Sequence, residues 1–172
     1  RGLGDVYKRQ VIARHPYIIA SYLWNMFDFA VPMWERGGVP ARNLKGMVTF
    51  DRKIKKDSYY WYKANWSKEP VLYLTQRRNV DRERKETSVA VYSNIGTPVV
   101  YLNGKPLEGI RKGYTEVHYV FDKVTLAQGK NILKAVVSYQ GKEYVDEIEW
   151  NYTGEKNRGT IVYENKKEHA GW

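Results

Sequence analysis

Between Val71 and Trp150 the chain is a succession of short apolar runs, each ended by turn residues. That pattern admits few architectures other than packed antiparallel sheets. Val71–Thr75 alternates, and Ser88–Tyr92 follows the charged stretch Arg77–Glu86. Val99–Leu102 runs into Asn103-Gly104, a favoured hairpin turn, and Lys105-Pro106-Leu107 leads out of it. Glu116–Phe121, Ile132–Tyr139 and Tyr144–Trp150 complete about seven strands, with Gln140-Gly141 marking a further turn. In Ile132–Tyr139 the apolar residues do not alternate cleanly, which predicts a strand buried on both faces.

Seven short strands without cysteine predict an all-β immunoglobulin-like sandwich over residues 69–152. The lack of cysteine also excludes disulfides and thiolate metal sites. His15, His118 and His169 are scattered at spacings unlike a metal site, and no glycine loop for phosphate is present, so neither metal nor cofactor is expected. The formal net charge of +10 raises the question of nucleic acid. The cations are interleaved with acids, as in Asp81-Arg82-Glu83-Arg84-Lys85-Glu86, and form no compact basic helix, so nucleic-acid binding is not expected. No apolar run is long enough to cross a membrane, and no signal peptide is recognisable.

Residues 1–10 are read as a sequencing-adapter artefact. Asp5-Val6-Tyr7-Lys8-Arg9-Gln10 back-translates as GAT-GTG-TAT-AAG-AGA-CAG, which resembles the transposon-end adapter of sequencing libraries. A natural polar terminus is the alternative. On the artefact reading the protein begins upstream and the chain is a fragment. Residues 153–172 form a polar tail, with Ile161-Val162-Tyr163 as one candidate strand and a C-terminus that is expected to be cut as well.

Residues 11–68 have a different pattern. Ile18–Leu23 is apolar and β-branched, as expected of a short strand buried on both faces. Pro32, Gly37, Gly38 and Pro40 mark residues 31–42 as a loop, and Gly46–Phe50 is expected to be extended. Asp51 or Asp57 offers a helix cap. Lys55–Trp66 is expected to be helical, with Tyr59, Tyr62, Lys63 and Trp66 on one face, an aromatic strand at Tyr59–Tyr62 being the alternative. Strand, irregular loop and helix in that order suit a β/α barrel, whose chemistry gathers in the loops after the strands.

Three pieces carry a family resemblance: Trp24-Asn25-Met26-Phe27-Asp28-Phe29-Ala30, Asn43-Leu44-Lys45-Gly46-Met47-Val48-Thr49-Phe50-Asp51-Arg52-Lys53, and the run Lys55–Trp66. In order and spacing they resemble the closing strand, loop and helix of glycoside hydrolase family 2, the β-galactosidases, β-glucuronidases and β-mannosidases built on a (β/α)8 TIM barrel. Tyr92-Ser93-Asn94 and Leu102-Asn103-Gly104-Lys105 resemble the immunoglobulin-like domain that many relatives carry directly after the barrel. The resemblance implies the last β/α unit of a TIM barrel followed by the sandwich. It also implies a retaining exo-glycosidase for terminal β-galactosides, with β-glucuronides as the alternative. Such an enzyme uses two carboxyl groups about 5–5.5 Å apart, which the family takes from glutamates on earlier barrel strands. No glutamate precedes Glu35, and Glu35 matches neither. The catalytic pair is therefore expected upstream, and the chain alone is expected to be inactive and, with an incomplete barrel edge, poorly soluble. The implied partner is a carbohydrate. The full-length enzyme is expected in the periplasm or outside the cell, where a homo-oligomer would be compatible with the resemblance.

The same resemblance singles out Trp24, Asn43 and Lys45 for substrate binding. Trp24 matches the family's tryptophan at the end of the last strand, whose flat apolar face suits the C–H face of a pyranose; without the match it would be read as core. Asn43 and Lys45 match an Asn-x-Lys motif that grips the uronic-acid carboxylate in β-glucuronidases through charge-assisted hydrogen bonds. The same Asn-x-Lys-Gly loop resembles that of relatives described as β-galactosidases, so the motif leaves the substrate open. The plain alternative is a turn-making asparagine and a solvated lysine. Asp28 is expected to fix the strand end or a neighbouring loop rather than act as acid or base, and Arg36 and Arg42 receive no role. A free-standing β-sandwich module, carbohydrate-binding or scaffolding, is the reading from another class. Residues 21–66, which such a module has no reason to carry, speak against it.

Overall fold

The computed structural model describes residue 12, residues 14–32 and residues 39–155. Residues 1–10, Glu35, Arg36 and the candidate strand Ile161–Tyr163 lie outside them. In chain order the described elements are β1 (Phe29–Ala30), β2 (Arg42–Asn43), helix α1 (Asp57–Trp66), β3 (Leu72–Leu74), β4 (Asp81–Arg82), β5 (Glu86–Ser93) and β6 (Val99–Leu102). They continue with β7 (Lys105–Pro106), β8 (Arg111–Lys112), β9 (His118–Thr125), β10 (Gly129–Tyr139) and β11 (Lys142–Tyr152).

The strands from β3 onward form a β-sandwich. One sheet has the order β3-β5-β9-β8 and the other β4-β11-β10-β6-β7. Every pairing within them is antiparallel except that of β4 with β11. Val91, Val100, Phe121, Leu133 and Trp150 fill the space between the sheets. The two turns expected from sequence close the hairpins as two-residue loops. Asn103 and Gly104 have φ of 51° and 82°, and Gln140 and Gly141 have 50° and 74°. Both central residues at positive φ give the turn whose twist matches paired strands. Strands β4 and β8 were not anticipated, because two charged residues carry no periodicity; only tertiary pairing defines them.

The sheet buried on both sides is not the one expected. Strand β10 alternates regularly, with Asn131, Leu133, Ala135 and Val137 buried and Ile132, Val136 and Tyr139 half-buried. Continuous burial belongs to β9, where His118, Tyr119, Val120 and Phe121 are all covered. The cause lies on the outer side of that sheet, where α1 and an aromatic layer pack. Tyr60 stacks on Tyr73 at 3.8 Å between centroids, Tyr73 lies parallel to Tyr92 at 6.2 Å, and Tyr92 meets His118 edge-on at 5.3 Å.

That layer makes a pH-dependent contribution to stability. Burial, with a smaller effect of the Arg111 charge, lowers the His118 pKa to about 4. As pH falls from the ordinary histidine range toward 4, the unfolded chain takes a proton that the folded chain refuses. The stability present at neutral pH is therefore lost progressively through that window. Urea unfolding at pH 7 and pH 5 is expected to differ by about 1.5 kcal/mol more in the wild-type chain than in His118→Gln.

Helix α1 forms where a helix was expected, but it is seated differently. Lys56 occupies the N-cap without a side-chain cap bond, and Asp57 is the first helical residue. The buried face is Trp61, Tyr62 and Ala64, packed on Leu23, Met47, Tyr73 and Tyr92, whereas Trp66 is 62% exposed. The linker after the helix is clamped by one side chain. Asn94 Nδ2 donates to the carbonyls of Ser67 (3.1 Å) and Glu69 (2.9 Å), while its Oδ1 accepts the Val71 N–H at 2.8 Å.

Residues 18–23 are a correction. They form no strand, and Ile19 and Tyr22 are 99% and 93% exposed. A parallel barrel strand needs a neighbour on each edge and cover on both faces, and no strand among the described residues pairs with this segment. The segment keeps the composition of a strand without the surroundings that make one.

Candidate functional site

After residue 24 the N-terminal segment acquires structure by folding against residues 42–56. Met47 N–H donates to the Asn25 carbonyl (3.1 Å), Val48 N–H to Met26 (2.9 Å) and Asp28 N–H back to Val48 (2.9 Å). Lys56 N–H then donates to the Met47 carbonyl at 2.8 Å, which ties the start of α1 to the same ladder. Strands β1 and β2 add the pairs Phe29–Asn43 and Ala30–Arg42 and so bring the ends of the intervening loop together.

Gly46 permits this close approach. A Cβ at this position would lie 2.1 Å from both the Asp28 nitrogen and the Phe27 carbonyl carbon. With no side chain there, the Gly46 N–H donates to Asp28 Oδ1 at 2.9 Å. The same carboxylate oxygen accepts from Lys56 Nζ at 2.6 Å, and Lys56 Nζ also donates to the Leu44 carbonyl at 3.1 Å. The Asp28 side chain is 3% exposed and that of Lys56 14%, so the pair is largely withdrawn from water. Arg52 stacks over the Phe27 ring at 4.0 Å and donates to the carbonyls of Asp28 (3.2 Å) and Phe50 (3.0 Å).

On this scaffold Trp24 is 74% exposed, with its ring edge-on against Phe29 at 5.9 Å between centroids. Phe29 is the register partner of Asn43, so one residue links the tryptophan to the strand that opens the Asn43 loop. Asn43 is buried, and its Oδ1 accepts the Lys45 N–H at 2.9 Å, which turns the chain so that the exposed Lys45 follows. Arg42, Lys45, Arg52, Lys53, Lys55 and Lys56 stand against Asp28 and Asp51 in this part of the chain, so the local field is positive.

The acidic residues described up to α1 are all engaged elsewhere. Asp28 holds Lys56 and Gly46, Asp51 accepts from Thr49 Oγ1 and the Lys53 N–H, and Asp57 accepts from Tyr73 Oη and the Gln76 N–H. None is arranged as one of a pair of catalytic carboxyls. Among the described residues no group of three or more potential ligands is placed to hold a metal ion. Lys56 was not singled out from sequence, and Gly46 entered only as the last residue of the Asn-x-Lys-Gly motif. The lysine lies 28 positions from its carboxylate, and only the fold joins them.

No protein-family model matches the chain. A curated β-glucuronidase of Bacteroides fragilis is 36% identical over 144 residues, which are 83% of this chain and 20% of that protein. The solved structure of a candidate β-galactosidase from Bacteroides fragilis is 77% identical, with a TM-score of 0.85, and the match covers 90% of this chain and 23% of that one. An FMN-binding β-glucuronidase from Faecalibacterium prausnitzii L2-6 is 38% identical with a TM-score of 0.76, covering 91% of this chain and 23% of that one. The chain thus spans about a fifth of the length of the curated relatives it matches.

Proposed function

Because this chain belongs to glycoside hydrolase family 2, we propose that it forms the end of the catalytic barrel and the domain after it in a retaining β-glycosidase that releases terminal β-galactosides. Residues 11–68 are then the last β/α unit of the TIM barrel and residues 69–152 the appended immunoglobulin-like domain. The strand orders support the latter assignment, because β3-β5-β9-β8 and β11-β10-β6 follow the two sheets of an immunoglobulin sandwich.

The observation that carries the reading is the Asn43–Gly46 loop, anchored through successive peptide groups and linked through Phe29 to the exposed Trp24. Such a corner can stack a pyranose on the indole and meet its polar edge with Lys45. It supplies no acid and no nucleophile, which on this reading come from the missing barrel strands. A β-glucuronidase is the second reading, favoured by the positive field and by a lysine and an asparagine at the spacing that suits a carboxylate.

The full-length enzyme, assayed on aryl β-galactoside and aryl β-glucuronide, separates the two. It is expected to prefer the galactoside. Lys45→Ala, which removes one charged hydrogen bond, is expected to lower kcat/KM about 10- to 100-fold. Preference for the glucuronide, with that activity alone abolished by Lys45→Ala, would overturn the galactoside reading.

A further inference from the structure

We infer that the buried Asp28–Lys56 ion pair is a positioning device for Lys45, fixing both of its peptide neighbours at once and so setting where its ammonium meets the sugar. The inference rests on the reading of Asn43 and Lys45 as sugar-binding residues. Lys56 Nζ holds the Leu44 carbonyl, on one side of Lys45, at 3.1 Å. Asp28 Oδ1 holds the Gly46 N–H, on the other side, at 2.9 Å. The two anchoring groups are themselves joined at 2.6 Å, so residues 44 and 46 cannot move independently. The Asn43 side chain takes the Lys45 N–H, which leaves the backbone of Lys45 little room to rotate.

Asp28 is in turn immobile. Its N–H donates to Val48 at 2.9 Å, and its carbonyl accepts from Arg52 at 3.2 Å. A buried ion pair is a poor source of net stability, since its desolvation offsets most of the attraction. Here it provides direction. A lysine has a long flexible stem, and fixing its Cα narrows the volume its ammonium samples. Displacement of a substrate-positioning group by about 1 Å can cost on the order of a hundredfold in rate. Lys56 and Asp28 thus act through Lys45 and need not touch substrate.

A double-mutant cycle in the full-length enzyme tests this, using whichever of the two aryl glycosides it turns over. Lys45→Ala and Lys56→Met are each expected to raise KM about tenfold with kcat within about threefold, and the double variant is expected to be no worse than Lys45→Ala. A melting curve by circular dichroism establishes that each variant is folded. Should Lys56→Met fail to fold, Asp28→Asn completes the cycle, since it retains an acceptor for the Gly46 N–H but not the charge. Effects that add in full, or a Lys56→Met enzyme with wild-type KM beside a defective Lys45→Ala, would overturn the inference alone. A Lys45→Ala enzyme with wild-type KM would overturn the sugar-binding reading, and the inference with it.

Discussion

Gly46→Ala is expected to unseat the segment that carries Trp24, Asn43 and Lys45 while leaving the sandwich folded. The added methyl would lie 2.1 Å from two backbone atoms of Phe27 and Asp28 and 2.7 Å from the Phe27 carbonyl oxygen. No side-chain rotation relieves a clash with backbone, so the ladder between residues 25–28 and 46–48 has to open. Opening it removes the Gly46 donor from a buried carboxylate and pulls the Leu44 carbonyl away from Lys56. A steric clash combined with a disrupted buried pair belongs to the class of substitutions that cost about 4 kcal/mol or more.

Hydrogen exchange reads the result directly. The amides of Asp28 and Val48, which bond across this ladder, should lose protection, while those of Val91 and Leu133 in the sandwich keep theirs. In the full-length enzyme the same substitution should cost on the order of a hundredfold in kcat/KM, since it moves Trp24, Asn43 and Lys45 together. Undiminished protection at Val48 would mean that the two segments are not packed as described.

The sandwich was legible because its information is local. Alternation over Val71–Thr75, and turn residues suited to positive φ at Asn103-Gly104 and Gln140-Gly141, are written in neighbouring residues. Reading β10 as doubly buried went wrong because Ile132 and Val136 are as apolar as core residues yet only half-buried on the outer face. Whether a second layer covers a sheet depends on elements far away in sequence. Here the cover falls on Tyr73, Tyr92 and His118, on the other sheet. The candidate site divides similarly. Trp24, Asn43 and Lys45 could be named from their motif, and the expectation that Asp28 holds a loop agrees with its bond to Gly46. Lys56 carried no signal, because a lysine ahead of a helix looks like any solvated lysine until the fold closes it over Asp28.

The second large effect is expected at Asp57, where the helix meets the sandwich. Its carboxylate accepts from Tyr73 Oη at 2.7 Å and from the Gln76 N–H at 2.8 Å, one oxygen for each donor. The Tyr73 hydroxyl is held in its protonated form by burial and by this carboxylate, both of which raise its pKa, so it stays a donor throughout the ordinary pH range. Asp57 also opposes the burial that lowers the Arg82 pKa to about 10, and Arg82 lies over the Trp150 ring at 3.5 Å with Gln76 Oε1 as its acceptor at 2.8 Å. Asp57→Ala leaves the buried Tyr73 hydroxyl and the half-buried Gln76 N–H without this acceptor and weakens the seat of a buried cation. At about 1.5–3 kcal/mol for each hydrogen bond to a charged group, with some relaxation, the loss should be about 3 kcal/mol. That corresponds to a fall of about 6–12 °C in Tm for a chain of this size. Asp57→Asn, which keeps one acceptor, should lose about half as much. Glu69→Ala serves as the contrast: it breaks the ion pair with Lys63, but Glu69 is 72% exposed there, and such pairs contribute about 0–1 kcal/mol. If Asp57→Ala and Glu69→Ala melted alike, the bonds from Tyr73 and Gln76 would not be what seats the helix. A large gap between them would locate that hold in a single half-buried carboxylate at the start of α1.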